Sequence, residues 1–235
     1  MCVNFQPAAN PAFLAERLGP LEPPLGPLED IFPGYSAPVA LRRRGRGESL
    51  AALRPAQFGL VPHWCRDAAQ ARDISRKTYN ARSETAASKP SFRSAWAASQ
   101  WVLVPMQCFF EPSWEGAADP GGRPTRWRIA QADGAPFAVA GLWDRWTDPA
   151  TGSVQGSFTV LTVNADGHAV MGRMHRPDEE KRMPVIVPPA RYADWLQASP
   201  QQAADFMRAA PAEALVAHAA PLARARSATS AHSLF

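Results

Sequence analysis

Apolar residues recur along the chain in short runs, and proline, glycine or charged residues separate these runs. A β-strand is predicted for each run, because short apolar segments between turn-forming residues are typical of half-buried strands. Residues 125–130 and 136–143 are predicted to form an antiparallel pair around an Asp133-Gly134 turn. The other predicted strands are 38–42, 100–106, 157–163 and 185–187, and residues 58–64 are predicted to be a short strand that runs into a turn.

Helical patterns are shorter and lie between these runs. The proline-rich segment 18–38 predicts an extended loop, since proline disrupts both helices and central strands. Neither an internal repeat nor a break in composition marks a domain boundary. We therefore expect one α+β domain over residues 1–222, followed by a flexible tail over 223–235. Ser83 would cap the first predicted helix, which continues toward Ala87. The other predicted helices cover 91–98, 164–170, 190–198 and 200–209.

Composition narrows the class of protein. The chain has 235 residues, 46% of them hydrophobic, and a formal charge of +4, which is compatible with a polyanionic partner without requiring one. Its three cysteines are scattered with no paired spacing, so we expect no zinc site, no disulfide framework and a reducing compartment. No apolar run reaches 18 residues, so we expect a cytoplasmic protein with no membrane partner.

The first two residues, Met1-Cys2, carry distinctive candidate chemistry. Removal of Met1 would leave Cys2 with an α-amine and a thiol on adjacent carbons. The amine condenses with an aldehyde to an imine, and the thiolate closes onto the imine carbon to form a thiazolidine ring. Both groups are partly deprotonated near neutral pH. The alternative is a chance cysteine at position 2.

Two further residues are candidates for proton transfer. Glu111 lies among aromatic residues after an apolar run, and apolar surroundings favour the protonated carboxyl group that a general acid needs. His175 lies among mixed charges before an Arg-Met-Pro turn and is a candidate acid or base. The alternatives are a strand-edge glutamate pointing into water and a surface histidine.

Other residues are candidates for anion binding. Asn80 and Arg82 precede the helix predicted at Ser83, where backbone N–H groups favour an anion. Arg42, Arg43 and the arginines after them form either a phosphate-binding hairpin or a solvated turn.

Taken together, these stretches resemble the SRAP family (SOS-response-associated peptidase, also called abasic-site processing proteins). YNARSE and the Cys-Phe-Phe-Glu-Pro segment are the most specific of the matches, which cover roughly residues 1–200 in the family's order. The resemblance implies a mainly antiparallel sheet or open barrel with flanking helices. The matching segments are Met1-Cys2, FGLVPHW, TYNARSET, CFFEPSWEG, AGLW and HRPDEEKRMPVIV.

The resemblance also implies a function. Cys2, exposed by self-removal of Met1, would crosslink covalently to the ring-opened aldehyde of an abasic site in single-stranded DNA. Asn80 would hold the α-amine and a sugar hydroxyl. Glu111 would act as the acid and base for ring opening and crosslink reversal, and His175 would assist imine formation. The expected protein is a monomer associated with the nucleoid, and no cofactor or metal is expected.

DNA contacts follow from the same resemblance. Trp64 and Phe92 could stack on bases or wedge against the end of a duplex, including at single-strand/double-strand junctions. Phosphate contacts are assigned to Arg76, Arg82, Arg42 and Arg43.

Two departures from the family pattern bear on these assignments. The family commonly begins Cys-Gly-Arg, whereas this chain reads Cys2-Val3-Asn4 and lacks that arginine. Six residues separate His175 from Arg182, a longer spacing than the family's, and His168 is the second candidate for the active-site histidine.

Two other functions fit an N-terminal cysteine or a basic chain. An N-terminal-nucleophile amidotransferase also exposes Cys2 and uses its α-amine as a base. A non-covalent single-stranded DNA-binding protein would bind DNA without needing Cys2 at all.

Overall fold

The computed structural model describes residues 3–8, 12–18, 30–43, 50–115 and 122–221. Within these ranges eleven strands form one connected sheet. The strands are β1 (Asn4–Pro7), β2 (Ser36–Arg42), β3 (Ala51–Phe58), β4 (Asn80–Arg82), β5 (Trp101–Ser113), β6 (Thr125–Gln131), β7 (Phe137–Thr147), β8 (Val154–Asn164), β9 (Arg182–Pro184), β10 (Ile186–Val187) and β11 (Leu215–Ala219).

Short helices flank this sheet. The α-helices are α1 (Ala12–Leu18), α2 (Ala68–Ser75), α3 (Ser83–Ala86), α4 (Arg93–Ala97) and α5 (Tyr192–Gln197). The 3-10 helices are Met171–Arg173, Pro189–Arg191, Gln202–Phe206 and Ala212–Ala214. In the described part of the chain, no helix has the length and apolar composition needed to cross a bilayer. Met1, Cys2 and the predicted tail over 223–235 lie outside the described residues.

Five strands close into a barrel. They follow the order β7, β8, β3, β2, β5, and a further pairing of β5 with β7 completes the circuit. The pairing of β3 with β8 is parallel, and the other pairings in the circuit are antiparallel. The predicted α+β single domain with a mainly antiparallel barrel is therefore confirmed.

The longest strand, β5, organises the fold because four other strands pair with it. Its first half pairs with β2 and β7, and its second half pairs with β1 and β6. Nearly every residue of β5 is buried, as expected for a strand covered on both faces. Helix α5 covers the first half, where the Trp195 indole donates a hydrogen bond of 2.9 Å to the Val102 carbonyl.

The predicted hairpin of residues 125–130 and 136–143 is wrong. Strands β6 and β7 exist and a turn at Asp133-Gly134 joins them, but both run antiparallel to β5. At Met106, β1 and β7 occupy opposite edges of β5, and at Phe110 β1 lies opposite β6. Strands β6 and β7 therefore lie end to end along the same edge of β5 and point in the same direction, so they cannot pair as a hairpin.

Several predicted element boundaries also change. The short strand predicted within residues 58–64 ends at Phe58, because Gly59 turns the chain at φ +114° and its missing Cβ makes room for the Ser75 carbonyl. Residues 165–170 form turns instead of a helix, since the Asn164 side chain accepts the backbone N–H of Asp166. Residues 202–206 form a 3-10 helix. Ser83 is the first helical residue, and Arg82 takes the cap position.

Candidate functional site

Glu111 and His175 form a buried hydrogen-bonded pair. The Nε2 atom of His175 lies 2.9 Å from the Oε2 atom of Glu111, although the two residues are 64 positions apart in the chain. Their side chains are 5% and 0% exposed, respectively. The alternatives of a strand-edge glutamate in water and a surface histidine are therefore excluded. A hydrogen-bonded carboxyl–imidazole pair can pass a proton to or from a bound molecule.

His175 is held in an unusual backbone conformation. Its φ of +60° lies in the left-handed region, which costs a non-glycine residue about 1 kcal/mol. The N–H of His175 donates to the Pro112 carbonyl at 2.7 Å, and the Ser113 hydroxyl donates to the Arg173 carbonyl at 2.8 Å. These bonds attach the His175 loop to the end of β5, so the longer spacing before Arg182 still returns His175 to Glu111.

Two arginine–tryptophan pairs lie beside this loop. The Arg173 guanidinium lies 4.8 Å from the centre of the Trp127 ring, and Trp127 is the cross-strand partner of Glu111. Arg173 also forms an ion pair with Glu115 at 2.6 Å. Arg176 lies 5.3 Å from the centre of the Trp114 ring. Ser113 and Arg173 position His175 through contacts between distant parts of the chain, and neither is among the site residues predicted from the sequence.

The strand that follows Cys2 is fixed next to Glu111. Asn4 is 3% exposed and pairs with Phe110, the residue before Glu111 in β5. The Asn4 side-chain oxygen accepts hydrogen bonds from Nε and Nη2 of Arg126, at 3.1 and 2.7 Å. Arg126 also pairs with Asp30 at 2.5 Å. Arg126 is not among the site residues predicted from the sequence. A single basic residue on a strand remote from the N-terminus does not by itself indicate a role there.

Asn80 lies on β4, half-buried, and pairs in parallel with Val160 of β8. Just after it, Glu84 accepts two hydrogen bonds, at 2.9 and 2.8 Å, from the guanidinium of Arg182, which is 2% exposed. Arg182 also donates to Glu180 at 2.7 Å. The YNARSE and Arg-Met-Pro motifs therefore meet through a buried arginine, which anchors the segment that carries Asn80.

The Arg182 cluster shifts the ionisation of its members. Hydrogen bonds from Arg182 lower the pKa of Glu84 and the pKa of Glu180 below their ordinary values. Burial alone would lower the pKa of Arg182, but its hydrogen bonds to the two carboxylates outweigh burial and raise it. All three groups therefore stay charged at neutral pH.

His168 bonds elsewhere. Its Nδ1 atom accepts the backbone N–H groups of Val170 and Met171, at 3.2 and 3.0 Å. Because Nδ1 is an acceptor, the proton of the neutral ring lies on Nε2, which donates to the Ala210 carbonyl at 2.9 Å. His168 thus caps the turn before the 3-10 helix, and of the two histidines His175 is the one beside Glu111.

The predicted DNA-contacting residues lie in different environments. Trp64 is 39% exposed, and its indole donates to the Pro90 carbonyl at 3.3 Å. Phe92 is 8% exposed and packs in the core, a position that favours packing over base stacking. Arg82 is half-exposed and forms an ion pair with Glu180 at 2.6 Å. The remaining arginines of this set, Arg42, Arg43 and Arg76, are exposed.

No group of three or more His, Cys, Asp or Glu side chains could hold a metal ion within the described ranges.

Comparisons with known proteins agree on one family. A sequence model described as SOS response associated peptidase (SRAP) matches residues 1–222. YoqW of Bacillus subtilis (strain 168), named an abasic site processing protein, is 31% identical over 152 residues, which cover 65% of this chain and 59% of YoqW. HMCES of Pongo abelii, named likewise, is 24% identical over 163 residues, covering 57% of this chain and 44% of HMCES. The matched region thus spans less than two thirds of either relative.

Solved structures share the fold. A Bordetella bronchiseptica protein superposes with a TM-score of 0.81 at 32% identity, over 94% of this chain and 100% of its own. A Bacteroides thetaiotaomicron protein superposes with a TM-score of 0.69 at 24% identity, over 81% of this chain and 76% of its own.

Proposed function

Because the chain belongs to the SOS response associated peptidase (SRAP) family, we propose that it traps abasic sites in single-stranded DNA by a covalent crosslink to Cys2. Self-removal of Met1 would expose the α-amine and thiol of Cys2, and this is the one peptidase reaction we assign to it. The observation that carries the proposal is the buried Glu111–His175 pair beside the strand that follows Cys2. The relatives' names as abasic site processing proteins support the same substrate.

The short length of chain between Cys2 and Asn4 supports the assignment of Cys2. Cys2 itself lies outside the described residues. Consecutive Cα atoms are about 3.8 Å apart, so the Cα of Cys2 lies within about 8 Å of the Cα of Asn4. Asn4 pairs with Phe110, and Glu111 is the next residue along β5. Cys2 is thus joined through Val3 to a residue, Asn4, that pairs with the neighbour of Glu111.

The reaction balances without an external oxidant or reductant. The closed deoxyribose opens when its ring oxygen gains a proton, and the hemiacetal hydroxyl loses one to give the aldehyde. The Cys2 amine adds to the aldehyde carbon, and the adduct loses water to form an imine. The thiol sulfur then bonds to the imine carbon while its proton moves to the nitrogen. The products are one thiazolidine and one water.

Glu111 and His175 fit the proton transfers in this sequence. A carboxyl group that shares a proton with an imidazole can protonate the ring oxygen and then accept a proton from the hydroxyl. His175, 2.9 Å from Glu111, would return the proton when the adduct loses water. Burial of both side chains excludes bulk water, which also slows hydrolysis of the imine.

We also assign roles in DNA binding to four of the residues predicted from the sequence. Asn80 would hold the α-amine and a sugar hydroxyl, and Arg82 and Arg76 would contact phosphates. Trp64, with its exposed ring, would stack on a base or against the end of a duplex at a single-strand/double-strand junction. We expect the protein to act in the cytoplasm, on the DNA of the nucleoid.

The test is denaturing gel electrophoresis after incubation with single-stranded DNA that carries one abasic site. We expect a heat-stable shifted band for the wild type and none with intact DNA. Cys2→Ala should remove the band. Cys108→Ala is the matched control, because Cys108 is a buried free thiol on β5, and it should crosslink like the wild type.

Intact mass must first show that Met1 is absent. If Met1 is gone and no band forms with abasic DNA, or if Cys2→Ala crosslinks as well as the wild type, the proposal is wrong. A glutaminase assay and a salt-dependent DNA-binding assay would then separate the amidotransferase and non-covalent binding alternatives.

A further inference from the structure

A polar cavity lies beside helix α2, and neither Glu111 nor His175 lines it. Its volume is about 410 Å³, within the range of small-molecule sites. Arg72 and Arg76 line it from the end of α2, and Gln57 and Gln155 line it from β3 and β8. Trp146 closes part of the wall and is itself 4% exposed, with its indole N–H bonded to the Cys65 carbonyl.

The charge of the cavity is positive. Neither Arg72 nor Arg76 forms an ion pair with any described residue, and no described aspartate or glutamate lines the cavity. The two arginines are one helical turn apart, so their guanidinium groups can hold one phosphate together. A simpler role for the two arginines is to stabilise the negative end of the α2 dipole. That role predicts that their replacement lowers stability without weakening DNA binding.

The two glutamines form a fixed amide pair. Nε2 of Gln155 donates to Oε1 of Gln57 at 2.6 Å, and Nε2 of Gln57 donates to the Gly59 carbonyl at 3.4 Å. Each amide group has a second N–H, and Oε1 of Gln155 is an acceptor. Neighbouring amide donors and acceptors suit the edge of a nucleobase, whereas a site for a bare anion would need only the arginines.

A short series of contacts connects the cavity with the N-terminal strand. Gln57, in the cavity wall, precedes Phe58, whose ring centre lies 5.4 Å from that of Phe5 in β1. The Phe58 carbonyl also accepts the N–H of Gly34, another residue of the wall, at 2.7 Å. A single ring contact thus separates the cavity wall from the strand that follows Cys2.

We propose that this cavity is a second nucleotide site, which holds a nucleotide of the trapped DNA strand a few positions from the abasic site. Arg72 and Arg76 bind its phosphate, and the Gln57–Gln155 pair contacts its base. The site gives the protein a grip on undamaged DNA next to the lesion. This inference rests on the proposed function, since it takes the abasic strand as the source of the nucleotide.

The test measures binding of a 20-nucleotide intact single strand by fluorescence anisotropy at several salt concentrations. We expect the double variant Arg72→Gln/Arg76→Gln to bind about tenfold more weakly, because two charge-assisted contacts are lost. The slope of log K against log salt should fall by about 0.7, the value for one phosphate on a single strand. The matched control, Arg191→Gln/Arg208→Gln, removes two arginines that line a different cavity and should bind within about twofold of the wild type.

Crosslinking of a trinucleotide with a central abasic site separates this inference from the proposed function. The single variant Arg72→Gln should crosslink the trinucleotide at the wild-type rate but crosslink the long strand more slowly at low concentration, because Arg72 lines the cavity and has no assigned role at the lesion. Equal losses in the control and the double variant would overturn the inference. If the wild type crosslinks neither DNA, the proposed function fails, while the difference in salt slope still tests the cavity.

Two further experiments identify the ligand and test the helix-dipole role of Arg72 and Arg76. Thymidine monophosphate at millimolar concentration should compete weakly with the long strand for the wild type. If thymidine monophosphate binds the wild type tightly and the double variant loses only that binding, a free nucleotide is the ligand and the DNA assignment is overturned.

The variant Arg72→Lys/Arg76→Lys keeps the charge at the helix end but loses bidentate phosphate contacts. It should therefore keep the wild-type melting temperature and still bind DNA more weakly. If the lysine variant binds like the wild type, the specific phosphate site is refuted.

Discussion

The side-chain oxygen of Asn4 accepts two hydrogen bonds from Arg126, at 3.1 and 2.7 Å, and this contact joins the N-terminal strand to β6. The same guanidinium contacts Asp30, the Ala220 carbonyl at 3.3 Å and the face of the Phe110 ring at 3.2 Å. Arg126 thus holds together the strand after Cys2, the strand that bears Glu111 and the end of β11. It is a positioning residue for the N-terminus.

Replacement of Arg126 should impair positioning more than DNA binding. Arg126→Met removes the hydrogen bonds to Asn4 and leaves Asp30 without its ion-pair partner, so we expect a loss of about 2 kcal/mol in the free energy of unfolding. The crosslinking rate at saturating DNA should fall about tenfold, while the half-saturating DNA concentration stays within about twofold. Urea unfolding and single-turnover crosslinking measure the two effects. An equal fall in crosslinking for Arg128→Met, on the same strand, would show that the effect is general to β6.

Replacement of Glu111 should slow the opening of the sugar ring. Glu111→Gln keeps the shape and a hydrogen bond to His175 but cannot donate or accept the proton, so we expect a crosslinking rate about 10²–10⁴-fold lower. A strand that carries an open-chain aldehyde unable to cyclise needs no ring opening and should lose far less. Single-turnover crosslinking with both strands measures the difference. Equal losses on the two substrates would place Glu111 in the imine or thiazolidine step instead.

Replacement of His175 should separate backbone strain from chemistry. At φ +60°, glycine relieves strain that alanine retains, so His175→Gly should be about 1 kcal/mol more stable to unfolding than His175→Ala. Both variants should crosslink more slowly than the wild type and by similar factors, because both lack the imidazole. Urea unfolding and the crosslinking rate measure the two effects. His168→Ala, as the control, should lower stability but leave the rate unchanged.

The Arg182 cluster should make stability depend on pH. The folded protein lowers the pKa values of Glu84 and Glu180, so their contribution is complete above their unfolded values of about 4.3. It is lost as the pH falls through the folded values. We therefore expect the free energy of unfolding to decrease between about pH 5 and pH 3, and to decrease less steeply in Arg182→Met.

The same variant tests the anchoring of the YNARSE segment. Arg182→Met should lower the free energy of unfolding at pH 7 by about 2 kcal/mol, less than for a fully buried ion pair because half of the Glu84 side chain is exposed. Chemical unfolding at pH 3, 5 and 7 measures both effects. Equal slopes with pH in the wild type and in Arg182→Met would contradict the assignment of these two carboxylates.

The pattern of apolar runs predicted where most barrel strands lie, because a strand's burial is set by side chains within a few residues of one another. It also indicated apolar surroundings for Glu111, whose side chain is buried. It could not predict that β3 extends back to Ala51, since four of its first five residues are alanine, arginine or proline. Nor did it distinguish an α-helix from the turns at 165–170, where the Asn164 side chain competes for backbone N–H groups.

By itself the sequence determined most of the local elements, the resemblance to the family and the identity of the candidate residues, because these depend on residue types and short spacings. Only the tertiary structure decided which strands pair and which side chains meet. Strands β6 and β7 look like a hairpin in the chain, yet both pair with the same edge of β5, which at 13 residues is long enough to pair with the two strands end to end. Glu111 and His175 are 64 residues apart in the chain and meet because the fold brings the loop that carries His175 to the end of β5. No local sequence pattern includes both residues.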